Sequence, residues 1–227
     1  MTFKAILFDC DGVLVDSEKI YVAVEREHLA RLGLHYSLDE YMDRFQGLGG
    51  PDFHAALDKD HRALGKGPLP ETFREDLDKA TIERMDRELT EISGIRQLLE
   101  AHEGARAVAS SSRLQRLVHK LRHTGLYDYF EPHIYSGEQV ANGKPAPDLF
   151  LFAAQKLGID PAATLVIEDS SNGVRAGLAA GMTVWGFVGG GHSHSGHAGQ
   201  LEAAGAHRVV SSHDDLAGLL LHANAEA

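Results

Sequence analysis

Four short segments of the chain are almost wholly apolar on successive positions. They cover residues 5–8, 105–109, 164–167 and 182–187, and each is separated from the next by a longer stretch with helical patterning. Strands that alternate with helices and are apolar on both faces are typical of a buried parallel sheet. The pattern therefore predicts an α/β fold in which helices cover both faces of the sheet.

Helical spacing is clearest in the second half of the chain. Leu114, Leu117, Val118 and Leu121 form a stripe that ends before Gly125. A second helix is predicted over 148–157, because proline is favoured at a helix start and glycine at a helix end. The flanking residues are Pro147 and Gly158.

The segment 17–92 has helical signals and no strand-like run. Ser17 is suited to cap a helix, and Ser37 with Glu40 forms a capping box for the next one. Two further helices are predicted, one between residues 51 and 65 and a charged one over 71–89. The sequence thus predicts a Rossmann-like α/β core domain, 1–16 and 93–227, interrupted by an all-helical cap domain, 17–92.

Composition narrows the class of protein. The 227 residues are 43% hydrophobic and 24% charged, which is typical of a soluble globular protein. The net charge of −11 disfavours nucleic acid and anionic membranes as partners. The single cysteine, Cys10, excludes an internal disulfide, and no apolar run resembles a signal peptide or a membrane span. We expect a cytoplasmic protein that is a monomer or a weak dimer.

Acidic residues follow two of the predicted strands. Asp9 and Asp11 come after the first strand, and Glu168 with Asp169 ends the third. Because the carboxyl ends of parallel strands share one edge of a sheet, these carboxylates are expected to converge there. Carboxylate oxygens in a small space suit Mg²⁺. Gly12 allows a sharp turn that exposes backbone N–H groups to an anion.

Other polar groups are predicted at the same edge. Ser110, Ser111 and Ser112 end the second strand and offer hydroxyl and N–H donors to phosphoryl oxygens. Lys144 lies between Gly143 and Pro145, so its cation stands in a stiff loop. Each residue alone is more often an ordinary surface or strand-end group. Together they indicate a site for a phosphate ester.

Four ordered segments, DCDGVLVDSE, VASSS, GKPAPD and IEDSSNG, resemble the motifs of the haloacid dehalogenase (HAD) superfamily. The similarity is to its phosphatase and β-phosphoglucomutase branch, which has a helical cap after the first strand. The resemblance implies that Asp9 is the nucleophile that forms an aspartyl-phosphate and that Asp11 is the general acid and base. Halide displacement needs neither a second aspartate nor Mg²⁺, so dehalogenation is excluded.

The resemblance also implies the ligands. Mg²⁺ would be held by the Asp9 carboxylate, the Asp11 main-chain carbonyl and Asp169, while Glu168 would orient its waters or bind it directly. The phosphoryl group would be bound by four residues: Gly12, Ser110, Ser111 and Lys144. The implied activity is hydrolysis of a small phosphomonoester such as a sugar or sugar-acid phosphate.

The cap is expected to select the leaving group, and FQGLGGPDF (45–53) resembles the family's cap loop. Candidate substrate contacts are Arg44, Gln46, His54 and Lys59. One alternative is a β-phosphoglucomutase-like phosphomutase, but Tyr21 and Gly50 stand where such mutases carry histidine and arginine. A second alternative is a non-enzymatic binding module on the same scaffold, which the retention of every catalytic position disfavours.

A glycine- and histidine-rich stretch, GGGHSHSGHAG (189–199), has no role in this scheme. Its glycines offer no rigid geometry for a zinc site, so we expect an exposed, flexible loop near the active-site edge. Cys10 alternates with the two aspartates and is expected to be buried packing.

Overall fold

Strands and helices alternate through most of the chain, in the order that the apolar runs predict. The computed structural model describes residues 3–45, 48, 50–102 and 104–225. The strands within those ranges are β1 (Ala5–Phe8), β2 (Ala105–Ser110), β3 (Ile134–Ser136), β4 (Thr164–Glu168), β5 (Thr183–Phe187) and β6 (Arg208–Val210). The helices there are α1 (Glu18–Arg31), α2 (Leu38–Phe45), α3 (Gly50–Ala63), α4 (Phe73–Glu88), α5 (Ile95–Ala101), α6 (Leu114–His123), α7 (Asp148–Leu157), α8 (Ser171–Ala179), α9 (His197–Ala203) and α10 (His213–Ala225).

All six strands join one parallel sheet in the order β3-β2-β1-β4-β5-β6. Leu7 of β1 pairs with Ala107 of β2 on one side and with Val166 of β4 on the other. The chain moves outward from β1 to β3 and then returns to the opposite side of β1. The α/β fold predicted from the sequence is confirmed.

Both faces of the sheet are buried. Leu7, Val166 and Val184 pack on one face against apolar residues of α7, α8 and α9. On the other face, Phe8 meets Phe130 with a ring-centroid distance of 5.8 Å. A strand covered on both sides must be apolar at successive positions, which is the reason for the continuous runs in the sequence.

Two of these strands were not predicted from the pattern of apolar residues. β3 and β6 lie at the edges of the sheet and have three residues each. β6 contains Arg208, which is exposed, and β3 ends with Ser136. Such short edge strands carry too few apolar positions to stand out from the loops around them.

The chain divides into two compact units. The first, which we name the α/β unit, consists of two segments, one up to Glu18 and one from Leu89 onward. The second, which we name the helical unit, is Lys19–Glu88. The helical unit has its own apolar core, which includes Leu29, Phe45, Leu57 and Phe73.

The helix boundaries follow local capping chemistry. At the start of α2 the Glu40 N–H donates to the Ser37 hydroxyl at 3.2 Å, and the Ser37 N–H donates to the Glu40 carboxylate at 2.7 Å. Helix α7 follows Pro147 and ends at Gly158, whose φ is +69°. Within the described part of the chain, no helix has the length and apolar character needed to cross a membrane.

Candidate active site

Polar side chains gather where β1, β2 and β4 end. Here β1 and β4 lie side by side although the chain leaves them in opposite directions, and such a reversal opens a crevice in parallel sheets. Asp9 follows β1 and Asp169 follows β4, and both are 8% exposed. The crevice therefore contains two nearly buried carboxylates.

Lys144 links three strand ends. Its Nζ donates to Asp9 Oδ1 at 2.7 Å, to Glu168 Oε1 at 2.6 Å and to the Ala109 carbonyl oxygen at 2.8 Å. Burial opposes the charge, but the Asp9 and Glu168 carboxylates outweigh it and raise the pKa of the Lys144 ammonium. The lysine remains a cation at the centre of the crevice.

One lysine does not neutralise the acidic cluster around it. Ligand oxygens of Asp9, Glu168 and Asp169 all lie within 4.8 Å of one another. Burial raises the pKa of Asp9 and of Asp169, and the neighbouring carboxylates raise both further. Buried hard oxygens with excess negative charge require a proton or a cation, so these residues fit a divalent ion such as Mg²⁺.

Glu168 is held rigidly in this cluster. Its side chain is fully buried, and Oε2 accepts from the Ser170 N–H at 2.8 Å and from the Ser170 hydroxyl at 2.9 Å. The same hydroxyl caps α8 by accepting from the Gly173 N–H at 3.0 Å. The sequence Glu-Asp-Ser-Ser thus starts a helix and fixes a carboxylate at once.

Asp11 has a separate set of partners. Lys120 Nζ lies 2.5 Å from both of its carboxylate oxygens, the Ser112 hydroxyl donates to it at 2.8 Å, and the Ser17 hydroxyl also donates to it. Burial alone would raise the pKa of Asp11, but Lys120 and the two hydroxyls outweigh burial and lower it. These partners therefore favour the ionised form of Asp11.

Sequence reasoning missed Lys120, although a signal was available. Lys120 follows Leu117 by three positions, which places it on the apolar face of α6, and it is 1% exposed. A lysine on a buried helix face needs a partner, and here the partner is Asp11.

Glu18 is a second residue near this site that the sequence analysis did not identify. Burial and the charges of Asp11 and Asp169 raise the pKa of its carboxyl to about 8.

The predicted phosphate ligands lie at the same edge. Gly12 has a φ of +74°, and a Cβ there would overlap the Asp169 carboxylate, so only glycine fits. Ser110 is buried and its hydroxyl accepts from the Ser112 N–H at 3.1 Å. Ser111 is exposed directly after β2.

The prediction for residues 189–199 is wrong in one respect, since part of this stretch is buried. His197 begins α9 and is 2% exposed, and the His192 side chain is 7% exposed. Both rings contact Asp169, which directly follows β4. Cys10 is fully buried, as expected of a packing residue.

The candidate substrate residues belong to the helical unit. Arg44 on α2 forms an ion pair with Asp60, and its guanidinium lies 5.6 Å from the Phe45 ring centroid. His54 and Lys59 are exposed on α3. Gln46 lies outside the described residues.

Comparison with known proteins adds relatives of similar length. The chain is 29% identical over 185 residues to 6-phosphogluconate phosphatase of Escherichia coli K12, covering 81% of this chain and 82% of that protein. It is 32% identical over 208 residues to the phosphorylated carbohydrates phosphatase of Thermotoga maritima, covering 88% and 91%.

A solved structure extends the similarity to the whole fold. A HAD family hydrolase from Deinococcus radiodurans, solved with bound phosphate and sodium, has a TM-score of 0.85 and 41% identity, covering 98% of this chain and 96% of that one. Residues 3–181 match the haloacid dehalogenase-like hydrolase family. With relatives named as phosphatases, this match confirms both the resemblance and the predicted class of enzyme. The chain belongs to the haloacid dehalogenase-like hydrolase family.

Proposed function

We propose that this protein is a Mg²⁺-dependent phosphomonoester hydrolase that acts on a small sugar or sugar-acid phosphate. The observation that carries the proposal is the buried cluster of Asp9, Glu168 and Asp169 with Lys144 at its centre. Phosphoryl transfer depends on positioning and on charge stabilisation, and this cluster can supply both.

In the first step, a carboxylate oxygen of Asp9 attacks phosphorus and the bond from phosphorus to the leaving oxygen breaks. Asp11 donates a proton to the departing alkoxide, which leaves as an alcohol. The product on the protein is an aspartyl-phosphate at Asp9. Lys144 already contacts Asp9 and is placed to neutralise charge on the transferring group.

In the second step, the Asp11 carboxylate takes a proton from water, whose oxygen attacks phosphorus. The bond to Asp9 breaks, and inorganic phosphate is released. The ionised state of Asp11 beside Lys120 suits this step. For the first step Asp11 must carry a proton, and a phosphoryl dianion beside it favours protonation by raising its pKa.

Mg²⁺ would be held by Asp9, Asp169, Glu168 and the main-chain carbonyl of Asp11. When bound, the ion supplies positive charge for the phosphoryl oxygens. Burial and neighbouring carboxylates raise the pKa of Asp9 and of Asp169 in the metal-free protein, and the charge of a bound ion would oppose both effects.

The substrate class rests on the relatives and on the helical unit. Two relatives are named as phosphatases of 6-phosphogluconate and of phosphorylated carbohydrates. We propose that the helical unit acts as a cap in which Arg44, Gln46 and His54 contact the sugar. The core of the α/β unit would bind only the phosphoryl group.

The test is hydrolysis of a panel of sugar and sugar-acid phosphates with Mg²⁺ in ¹⁸O-labelled water. We expect released phosphate to carry one labelled oxygen per turnover. Asp9→Asn keeps the shape of the side chain but removes the nucleophile, so turnover should fall by several orders of magnitude.

The matched control is Asp128→Asn, an exposed aspartate of the α/β unit, which should hydrolyse the panel at the wild-type rate. Near-native turnover of Asp9→Asn, or full activity in EDTA, would refute the proposal. Unlabelled, isomerised sugar phosphate would instead identify a phosphomutase.

A further inference from the structure

The glycine- and histidine-rich stretch, which we name the Gly/His segment (189–199), contacts Asp169 twice. His192 Nε2 lies 3.2 Å from Asp169 Oδ2. His197 Nε2 lies 2.6 Å from the Asp169 main-chain oxygen, and its Nδ1 lies 3.0 Å from the Ser193 hydroxyl. One histidine therefore faces the carboxylate and the other faces the backbone of the same residue.

Glycines allow this segment to approach the residues after β1. A Cβ on Gly190 would stand 2.8 Å from the Gly12 carbonyl oxygen and 2.9 Å from the His192 ring, which is too close for any side chain. The Gly191 N–H donates to Asp16 Oδ1 at 2.9 Å. The segment is thus attached to the ends of both β1 and β4.

The chemistry of the His192 ring fixes its role toward Asp169. When Asp169 is ionised, as a metal ligand is, its oxygens only accept hydrogen bonds, so the His192 nitrogen that faces it carries the hydrogen. The other nitrogen, Nδ1, is buried and has no hydrogen-bond partner in the described part of the chain. The ring therefore directs its polar contact to one oxygen of Asp169.

We infer that His192 is a positioning residue for Asp169, with its Nε2–H orienting the carboxylate so that the second oxygen is presented to the divalent ion. The inference rests on the metal site of the proposed function and adds a residue to it. Groups that orient a metal ligand in this way typically change metal affinity 10- to 100-fold when they are removed. The contact also gives the Gly/His segment a function.

The experiment measures Mn²⁺ binding to the full chain by the electron paramagnetic resonance signal of free Mn²⁺, with Mg²⁺ as competitor. His192→Phe keeps a ring but has no donor, and we expect it to weaken binding of both ions about 10-fold. His192→Gln places an amide N–H at the position of Nε2, so it should restore most of the lost affinity.

The control is His194→Phe, the same substitution in the same segment. His194 stacks on His197 with a ring-centroid distance of 5.6 Å and accepts from the Gly196 N–H, so its replacement should leave Mn²⁺ affinity within about twofold of wild type, well short of the change expected for an orienting group. Thermal melting in EDTA checks that each variant is folded.

Three outcomes would overturn the inference: wild-type affinity in His192→Phe, equal losses in the Phe and Gln variants, or an equal loss in His194→Phe. Failure of the proposed function has a different signature. In that case wild type and Asp169→Asn would bind Mn²⁺ equally weakly, whatever residue stands at position 192.

Discussion

The two units of the molecule hold their ion pairs in different surroundings. In the α/β unit, Lys144 is 4% exposed and contacts Asp9, which is 11% exposed at the side chain. In the helical unit, Arg44 is 45% exposed and contacts Asp60. A buried pair is costly to break because it leaves an uncompensated charge, whereas an exposed pair contributes about 0–1 kcal/mol. Under the proposed function, the buried pair would hold the reacting groups in place, and the exposed pair would leave side chains of the helical unit available to vary with the substrate.

The largest expected effect comes from a substitution among the buried charged residues of the α/β unit. Asp11→Asn cannot move a proton, so kcat for an alkyl phosphate should fall about 10²- to 10⁴-fold. Nitrophenyl phosphate has a leaving group that needs little protonation, so its first step should lose less. Rapid-quench measurement of the first step for the two esters checks this, and equal losses would contradict the role of Asp11 as leaving-group acid.

Asp60→Asn is the matched substitution in the helical unit. It removes the negative charge that pairs with Arg44, while the amide oxygen can still accept a hydrogen bond from the Tyr36 hydroxyl. We expect unchanged kcat for nitrophenyl phosphate. Thermal melting of both variants is needed because Asp11→Asn also leaves the Lys120 ammonium without its carboxylate.

A second, intermediate effect concerns Mg²⁺ and pH. Because the pKa values of Asp9 and Asp169 are raised, these two carboxyls bind more protons in the native metal-free protein than in the unfolded chain. The stability that these two carboxyls contribute therefore falls as pH rises from about 4 through their raised pKa values. Mg²⁺ replaces those protons, so its stabilisation should be greater at pH 8 than at pH 5.

Calorimetry with and without Mg²⁺ at both pH values measures the difference. At an ion concentration of 100 times Kd the stabilisation should be about 2.7 kcal/mol. Asp169→Asn should lose most of it at pH 8. An equal gain at pH 5 and pH 8 would show that the ion binds away from the two raised carboxyls.

The smallest expected effect comes from substitutions of exposed residues in the helical unit. Arg44→Ala and His54→Ala should change the preference among sugar phosphates by about 1–3 kcal/mol per lost contact. Acetyl phosphate, which has no sugar, should be hydrolysed at the wild-type rate. The ratio of kcat/KM between sugar phosphates, compared for each variant and wild type, checks this prediction. Equal losses for every substrate would indicate that these residues control access to the site. No change for any substrate would show that Arg44 and His54 do not determine specificity.

The sequence analysis was most successful for site residues whose position depends only on the order of the strands. Asp9 and Asp169 directly follow apolar strands, and neighbouring parallel strands end at one edge of a sheet whatever the side chains are. Lys144 lies in a loop outside the strands, and it was identified from its flanking Gly143 and Pro145 together with the GKPAPD segment. The proximity of the two aspartates needs only strand order.

The sequence analysis did not identify the residues whose place in the site depends on tertiary packing. Lys120 is 109 positions from Asp11 along the chain, and its role depends on how α6 packs on the sheet. His192 lies in a segment without helical or strand periodicity, so no pattern indicated which ring would be buried. Ser17 was predicted as a helix cap, while its hydroxyl contacts Asp11.

The central position of β1 has a consequence for synthesis on the ribosome. Both neighbours of β1 come much later in the chain, β2 at Ala105 and β4 at Thr164. At about 5–20 residues per second, the apolar strand waits roughly 5–20 s for its first partner after it is made. The apolar core of the helical unit lies between Leu29 and Phe73. Translation therefore completes that core while the first strand of the catalytic sheet is still unpaired.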